Sequence, residues 1–169
     1  MPETRKYVDQ WLRDAHAMEA QAETILEGQI NRIRHYPALA ARMKTHLEET
    51  TSQRERLEAC MERRGTSTSG LKDASAKFTA MMQNLGGVFA GDEVVKGTLA
   101  SYSFEAMEIA SYRILAAAAE AEGDTQTAQL CNEICREEEA MAEWLKEHMP
   151  NLTLAFFDRA KSDDTEAKR

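Results

Sequence analysis

The sequence predicts an all-α protein: four long helices in a bundle, arranged as two antiparallel helical hairpins joined by a long crossover, with short accessory helices. Three observations predict it. Apolar and small residues recur at steps of three and four over four long stretches, the period of one helix face. Proline and glycine fall between those stretches. A Ser/Thr/Gly-rich segment separates the second stretch from the third.

The first helix is expected over Tyr7 to Arg34, with Leu12, Ala15, Ala22, Leu26, Ile30 and Ile33 on one face. Pro37 suits the first turn of the second helix, whose stripe is Leu39, Met43, Thr50, Gln53, Leu57 and Cys60 and whose end falls near Gly65. Thr66 to Gly70 reads as loop, and Asp73 to Asn84 as a short helix before Gly86-Gly87. Asp92 is a cap candidate for the third long helix, which carries Val95, Thr98, Tyr102, Ile109, Tyr112 and Leu115 and breaks at Gly123-Asp124. The fourth carries Cys131, Ile134, Met141 and Leu145 and is expected to stop at Pro150. Asn151 to Ala160 reads as a separate docking helix. Residues 1–160 thus read as one domain, and 161–169 as a disordered tail. The connection from about Gly65 to Gly91 is long enough to travel the length of the bundle, and one such crossover is the ferritin-like arrangement of a four-helix bundle.

Composition bounds the function. The chain has 169 residues, 43% apolar and 30% charged, which suits a single globular domain. No apolar run reaches the ~18 residues that span a membrane, so no membrane partner is expected. The stretch from Met1 to Arg5 leads straight into an amphipathic segment without a signal-peptide core, so a cytoplasmic location is expected. Three cysteines, an odd number, fit a reducing compartment better than a disulfide framework. A net charge of -8 argues against nucleic acid as a partner. No Gly-rich phosphate loop, Cys-x-x-Cys pair or serine elbow appears.

The stripes also carry acid. Glu19 lies on the first, Glu49 borders the second, Glu105 and Glu108 lie on or beside the third, and Glu138 lies on the fourth. A weak internal repeat sharpens this: His16-Ala-Met-Glu19-Ala matches Glu105-Ala-Met-Glu108-Ile, and His46-Leu-Glu-Glu49 matches Cys135-Arg-Glu-Glu138, both at the same offset. Glu19, Glu49, Glu108 and Glu138 each stand about 15 residues from a hairpin turn, or about 22 Å at ~1.5 Å per residue. The four therefore meet near mid-bundle. Buried carboxylates repel and cost several kcal/mol each, and no Lys or Arg lies on the stripes. Bound cations are the simplest compensation, and oxygen-rich ligands favour iron or manganese over a thiolate zinc site.

Other positions stay open between two roles. His46, one turn before Glu49, is either a ligand or a capping or core histidine, and Glu105 is similarly divided. Tyr112 either hydrogen-bonds a ligand or fills the core. His16 and Glu23 suit the surface or a supporting contact. Cys131 and Cys135 suit buried thiols better than a soft-metal pair. The nine Met residues suit core filling, and of Glu137, Glu138 and Glu139 only Glu138 is expected to point inward.

Five stretches carry a resemblance: Trp11-Leu-Arg-Asp14-Ala-His-Ala-Met-Glu19-Ala-Gln21, His46-Leu-Glu-Glu49-Thr-Thr-Ser-Gln53, Asp92-Glu-Val-Val-Lys-Gly, Phe104-Glu105-Ala-Met-Glu108-Ile-Ala-Ser-Tyr112 and Glu137-Glu138. Together they resemble the YciE/YciF family of bacterial ferritin-like proteins, on the YciE side. The resemblance implies a helical bundle, often a homodimer, associated with bacterial stress responses. Trp11, Phe156 and Phe157, aromatic residues near the bundle ends, agree with a dimer. One departure matters. Better-known di-iron proteins place Glu-x-x-His on two helices, whereas here the order is His46-x-x-Glu49, with Cys135 where that His would repeat. That argues against ferritin-type iron oxidation and leaves a carboxylate site open to iron, manganese, magnesium or calcium.

Two functions compete. One is a redox-active protein with two metal ions per chain, handling iron, oxygen or peroxide under stress. Its ions would lie about 3.5–4 Å apart, with Glu49 and Glu138 bridging, Glu19 and Glu108 terminal, and His46 and Glu105 completing the shells. The other is a non-catalytic stress or scaffold protein whose metal is structural or absent. The scarcity of nitrogen ligands leans toward the second.

Overall fold

A computed structural model describes residues 2–66, 76, 80 and 93–161. It is an all-α, four-helix bundle: α1 (Pro2–Arg32), α2 (Pro37–Arg63), α3 (Glu93–Glu122) and α4 (Thr125–Lys161). Of the expected helix over 73–84 only Ala76 and Ala80 are described, both helical. The Asp92 cap, the loop at 67–70 and the tail beyond Lys161 lie outside the described residues.

The topology follows from which residues meet. His16 meets Glu58 and Glu23 meets Arg54, so α1 and α2 are antiparallel. Glu19 meets Tyr112 and Gln29 meets Ser101, so α1 and α3 are antiparallel. Gln53 meets Glu138 and Cys60 meets Thr127, so α4 opposes α2. Helices α2 and α3 are therefore parallel. Among the described residues their backbones do not come close, because they sit diagonally, as do α1 and α4, and they meet only through side chains that reach the bundle axis. The chain leaves α2 at one end and re-enters α3 at the other, which is why a long connection is required.

Local chemistry sets the helix ends. Pro37 occupies the first turn of α2, where its missing N–H is not needed. Gly65 and Gly123 take φ of 64° and 87°, the left-handed region open to glycine. Each closes a helix with a pair of backbone bonds: Gly65 N to Glu62 O and Thr66 N to Met61 O, then Gly123 N to Glu120 O and Asp124 N to Ala119 O. Asp124 next caps α4 through its Oδ1, which accepts the Thr127 N–H at 3.1 Å.

Two boundaries differ from the sequence expectation. Helix α1 begins at Pro2 rather than Tyr7, with Glu3 favourably placed in its first turn. Helix α4 does not stop at Pro150 but continues through it to Lys161, so Asn151 to Ala160 is the end of α4 and not a separate helix. An interior proline costs about 3 kcal/mol. Met149, Leu152 and Phe156 pack against the core around Leu26, Tyr36 and Met43, and that burial offsets the cost.

The core is divided. One cluster, with Leu12, Leu57, Met61, Leu115 and Ile134, fills the end nearest the two glycine turns. The other, with Leu39, Met43, Met141 and Leu145, fills the opposite end. Between them lies a polar layer.

Candidate metal centre

All four helices contribute to that layer: Glu19 from α1, His46 and Gln53 from α2, Glu105, Glu108 and Tyr112 from α3, and Glu138 from α4. Every one is buried, with Glu19 and Glu138 at 0% exposure. Glu105 and Glu108 lie one turn apart on α3 and so share a face. His46, Glu105, Glu108 and Glu138 each offer one ligand atom, and these atoms lie within 4.8 Å of one another. His46 Nε2 stands 3.2 Å from Glu105 Oε2 and 3.3 Å from Glu138 Oε2. Glu19 completes the group: its Oε1 accepts the Tyr112 hydroxyl proton. Glu138 Oε1 accepts from the Gln53 amide.

The electrostatics are those of negative charge without enough positive charge. Burial, then the charges of Glu138 and Glu105, push the Glu19 carboxyl well above the ordinary range, although the Tyr112 bond and His46 oppose. Glu108 rises through burial and then Glu19, Glu138 and Glu105. Burial lifts Glu105 to about 8 in spite of His46. On Glu138 burial acts upward too, but His46, Glu105 and Gln53 outweigh it and hold the carboxyl below its usual value. Burial works against the His46 imidazolium, and the facing Glu105, Glu138 and Glu49 overcome it, so its pKa lies well above normal. The layer thus keeps one carboxylate ionised beside one imidazolium and drives the others toward protonation. No Lys or Arg is among the strongest influences on any of these carboxyls.

Four carboxylate oxygens, Glu19 Oε2, Glu105 Oε2, Glu108 Oε1 and Glu138 Oε2, are buried with no hydrogen-bond partner among the described residues. Buried acceptors are normally satisfied; here Glu105 Oε2 and Glu138 Oε2 share only the His46 ring, and Glu19 Oε2 and Glu108 Oε1 have no such neighbour among the described residues, so the layer could hold a further cation. Carboxylate oxygens with a single imidazole nitrogen suit a hard or borderline divalent ion such as iron or manganese. The residues fit a metal.

The structure thus brings together five of the residues singled out from sequence: Glu19, His46, Glu105, Glu108 and Glu138. Glu49 stands apart. Its side chain is 33% exposed at the bundle rim, where its Oε2 lies 2.9 Å from His46 Nδ1 and 3.2 Å from Arg42 Nη1. His16 bonds Glu58 at 2.7 Å, and Glu23 pairs with Arg54, both away from the layer. Cys131 and Cys135 are buried free thiols. Of the Glu137–Glu139 run, Glu137 pairs with Arg56 and Glu139 with Arg113, and Glu138 alone points inward. Gln53 was missed as a site residue. Its signal was a polar side chain on the α2 stripe, two turns after His46, opposite the Glu138 position.

Residues 4–157 match the domain of unknown function DUF892. Among solved structures, a protein from Xanthomonas campestris pv. campestris is 40% identical over 94% of this chain and 99% of its own, with a TM-score of 0.79. The E. coli stress protein YciF is 25% identical over 89% of this chain and 97% of its own, with a TM-score of 0.77. YcfI from Rhodopseudomonas palustris is 26% identical over 85% of this chain and 92% of its own, with a TM-score of 0.70. This chain belongs to the DUF892 family, the YciE/YciF type of helical-bundle protein.

Proposed function

We propose that this protein is a di-metal carboxylate protein of the bacterial stress response, holding two iron or manganese ions and handling iron, oxygen or peroxide. The observation that carries the reading is the set of four buried carboxylate oxygens in one layer without a hydrogen-bond partner among the described residues, faced by the single imidazole of His46. His46, Glu105, Glu108 and Glu138 are the first ligand set, and Glu19, held by Tyr112, extends it to a second ion. Redox-active ions held there supply one- and two-electron chemistry toward oxygen species. The two apolar clusters exclude water from both sides of the layer, and Tyr112 and Gln53 hold Glu19 and Glu138 in place. The stress assignment leans on the description of YciF as a stress protein.

Anaerobic loading with ferrous iron, followed by desalting and elemental analysis, tests the reading. About two ions per chain are expected. Uptake no greater than background, for iron and for manganese, would overturn it. A second reading, a structural metal in a non-catalytic protein, is favoured by the lone nitrogen donor, His46. Loaded protein that consumes no peroxide, yet melts higher than the metal-free form, would select it.

Location and assembly complete the proposal. Among the described residues no helix is long and apolar enough to cross a membrane, and three free thiols suit the reducing cytoplasm. Trp11 and Ile114 expose 36% and 58% of their surface in a groove between α1 and α3, and the exposed Tyr7 ring lies against Trp11, which supports a homodimer. A mass near 19.0 kDa by light scattering at micromolar concentration would exclude the dimer.

A further inference from the structure

The internal repeat makes Glu49 the counterpart of Glu138, yet the two side chains do opposite things. Glu138 is fully buried among the carboxylates, and Glu49 reaches the rim. The residue that α2 sends inward at this level is His46, 1% exposed. Its ring spans the wall of the bundle. Nδ1 faces outward, 2.9 Å from Glu49 Oε2, and Nε2 faces inward, 3.2 and 3.3 Å from Glu105 and Glu138. Arg42 Nη1, 3.2 Å from the same Glu49 oxygen, fixes the carboxylate from the far side.

We propose that Glu49 is a positioning residue for the metal centre: anchored by Arg42, it accepts the Nδ1 proton of His46 and so presents Nε2 to the buried cation. The inference rests on the metal reading above and gives Glu49 a different part in it, not a ligand but the orienter of one. An ionised carboxylate only accepts hydrogen bonds, so the ring nitrogen facing it must carry the proton. Arg42, a permanent cation, pairs with Glu49 at 3.2 Å and matches it as a carboxylate. A cation entering the layer would displace the inner proton of the imidazolium, and with Nδ1–H held by Glu49 the lone pair is then on Nε2, aimed at the layer. Such a carboxylate–histidine contact fixes tautomer and ring angle, and it makes the donor nitrogen more basic. Without Glu49 the ring is free to turn and to place its proton on the inner nitrogen, where it blocks coordination.

Cobalt(II) serves as the probe, because its visible absorption reports ligand number and geometry. Anaerobic titration of wild type, Glu49→Ala, Glu49→Gln and Arg42→Met follows that band, with calorimetry alongside. Glu49→Ala is expected to bind the same number of ions about 10- to 100-fold more weakly, with an altered band. Glu49→Gln is expected to recover most of the affinity, since its amide oxygen still accepts the Nδ1 proton. Arg42→Met, which frees Glu49 but leaves it in place, is expected to weaken binding less than Glu49→Ala does. Exposed Glu48→Ala should match wild type, and equal melting of the metal-free variants shows that all are folded. A Glu49→Ala protein with wild-type affinity and spectrum overturns the proposal. So does one that binds fewer ions per chain, for Glu49 would then be a ligand. Failure of wild type itself to take up cobalt, iron or manganese strikes the metal reading instead.

Discussion

At the end of the bundle where Gly65 closes α2 and Gly123 closes α3, Asp9, Glu122 and Asp124 surround one guanidinium. At mid-bundle, Glu19, Glu105, Glu108 and Glu138 surround one imidazole. In the first group Arg64 donates from Nε to Asp9 at 2.7 Å and from Nη2 to Glu122 at 3.0 Å, and it also reaches Asp124, which Arg63 meets at 2.9 Å. Arg64 thereby ties α1, the end of α2, the end of α3 and the start of α4 together. Every nitrogen of its fork faces a carboxylate, and Asp124 is held well below the usual range, since its bonds to Thr127, Arg63 and Arg64 outweigh burial. In the second group Glu19, Glu105 and Glu108 are pushed up while Glu138 is held down, and one oxygen of each carboxyl has no hydrogen-bond partner among the described residues. The difference teaches how to tell a structural acid cluster from a binding one. A fold that needs acids only for cohesion brings its own cation, as Arg64 is here. A layer that gathers four acids around a single imidazole is arranged for a further cation from outside.

The comparison can be broken most forcibly at Arg64. Arg64→Met leaves three acids around a buried apolar group and should lower stability by about 3 kcal/mol, read by urea unfolding at neutral pH. A loss under about 1 kcal/mol would show that the end cluster is no better compensated than the centre.

Next in size is pH, where the two clusters should respond with opposite sign in chelator-treated protein. Glu19, Glu105 and Glu108 have raised folded-state pKa values. The folded state therefore binds their protons more tightly than the unfolded chain. That stabilisation is fully present below the unfolded value of ~4.3 and is lost as pH rises through the folded values, about 8 for Glu105. Asp124 is depressed, so its contribution is present above its unfolded value of ~3.9 and fades as pH falls below that. Melts at several pH values between mildly acid and mildly alkaline should show declining stability across that window, reversed by added metal. A flat profile would remove the repulsion on which the centre is argued.

The smallest expected effect sharpens the same point at one residue. Glu108→Gln removes a carboxyl at nearly constant shape. In the metal-free protein near pH 8 it should raise stability, because it removes a carboxyl that burial and the neighbouring Glu19, Glu138 and Glu105 disfavour as an anion, while weakening metal uptake. Destabilisation of the metal-free form would mean that Glu108 is not part of a repulsive cluster.

Much of this molecule was legible as sequence because the deciding forces are local. Gly65 and Gly123 end their helices through left-handed turns that no side-chain contact is needed to explain. Pro37 starts α2 for an equally local reason. Once the turns are placed, the constant rise of a helix puts Glu19, Glu108 and Glu138 at one level. What a constant rise does not supply is rotation about the helix axis. His46 and Glu49 are three residues apart, about 60° around α2, so both border the same stripe. Which one enters the layer was decided by how Leu39, Met43, Thr50 and Leu57 seat α2 against its neighbours. Pro150 is the same lesson along the chain: its local cost argues for a stop, and the burial of Leu152 and Phe156 on the distant Leu26–Tyr36 surface carried the helix past it. Sequence alone determined the helices, their order and the heights of the acids, because those depend on backbone geometry. Tertiary packing decided which acids face inward, because that depends on the neighbours each helix rolls against.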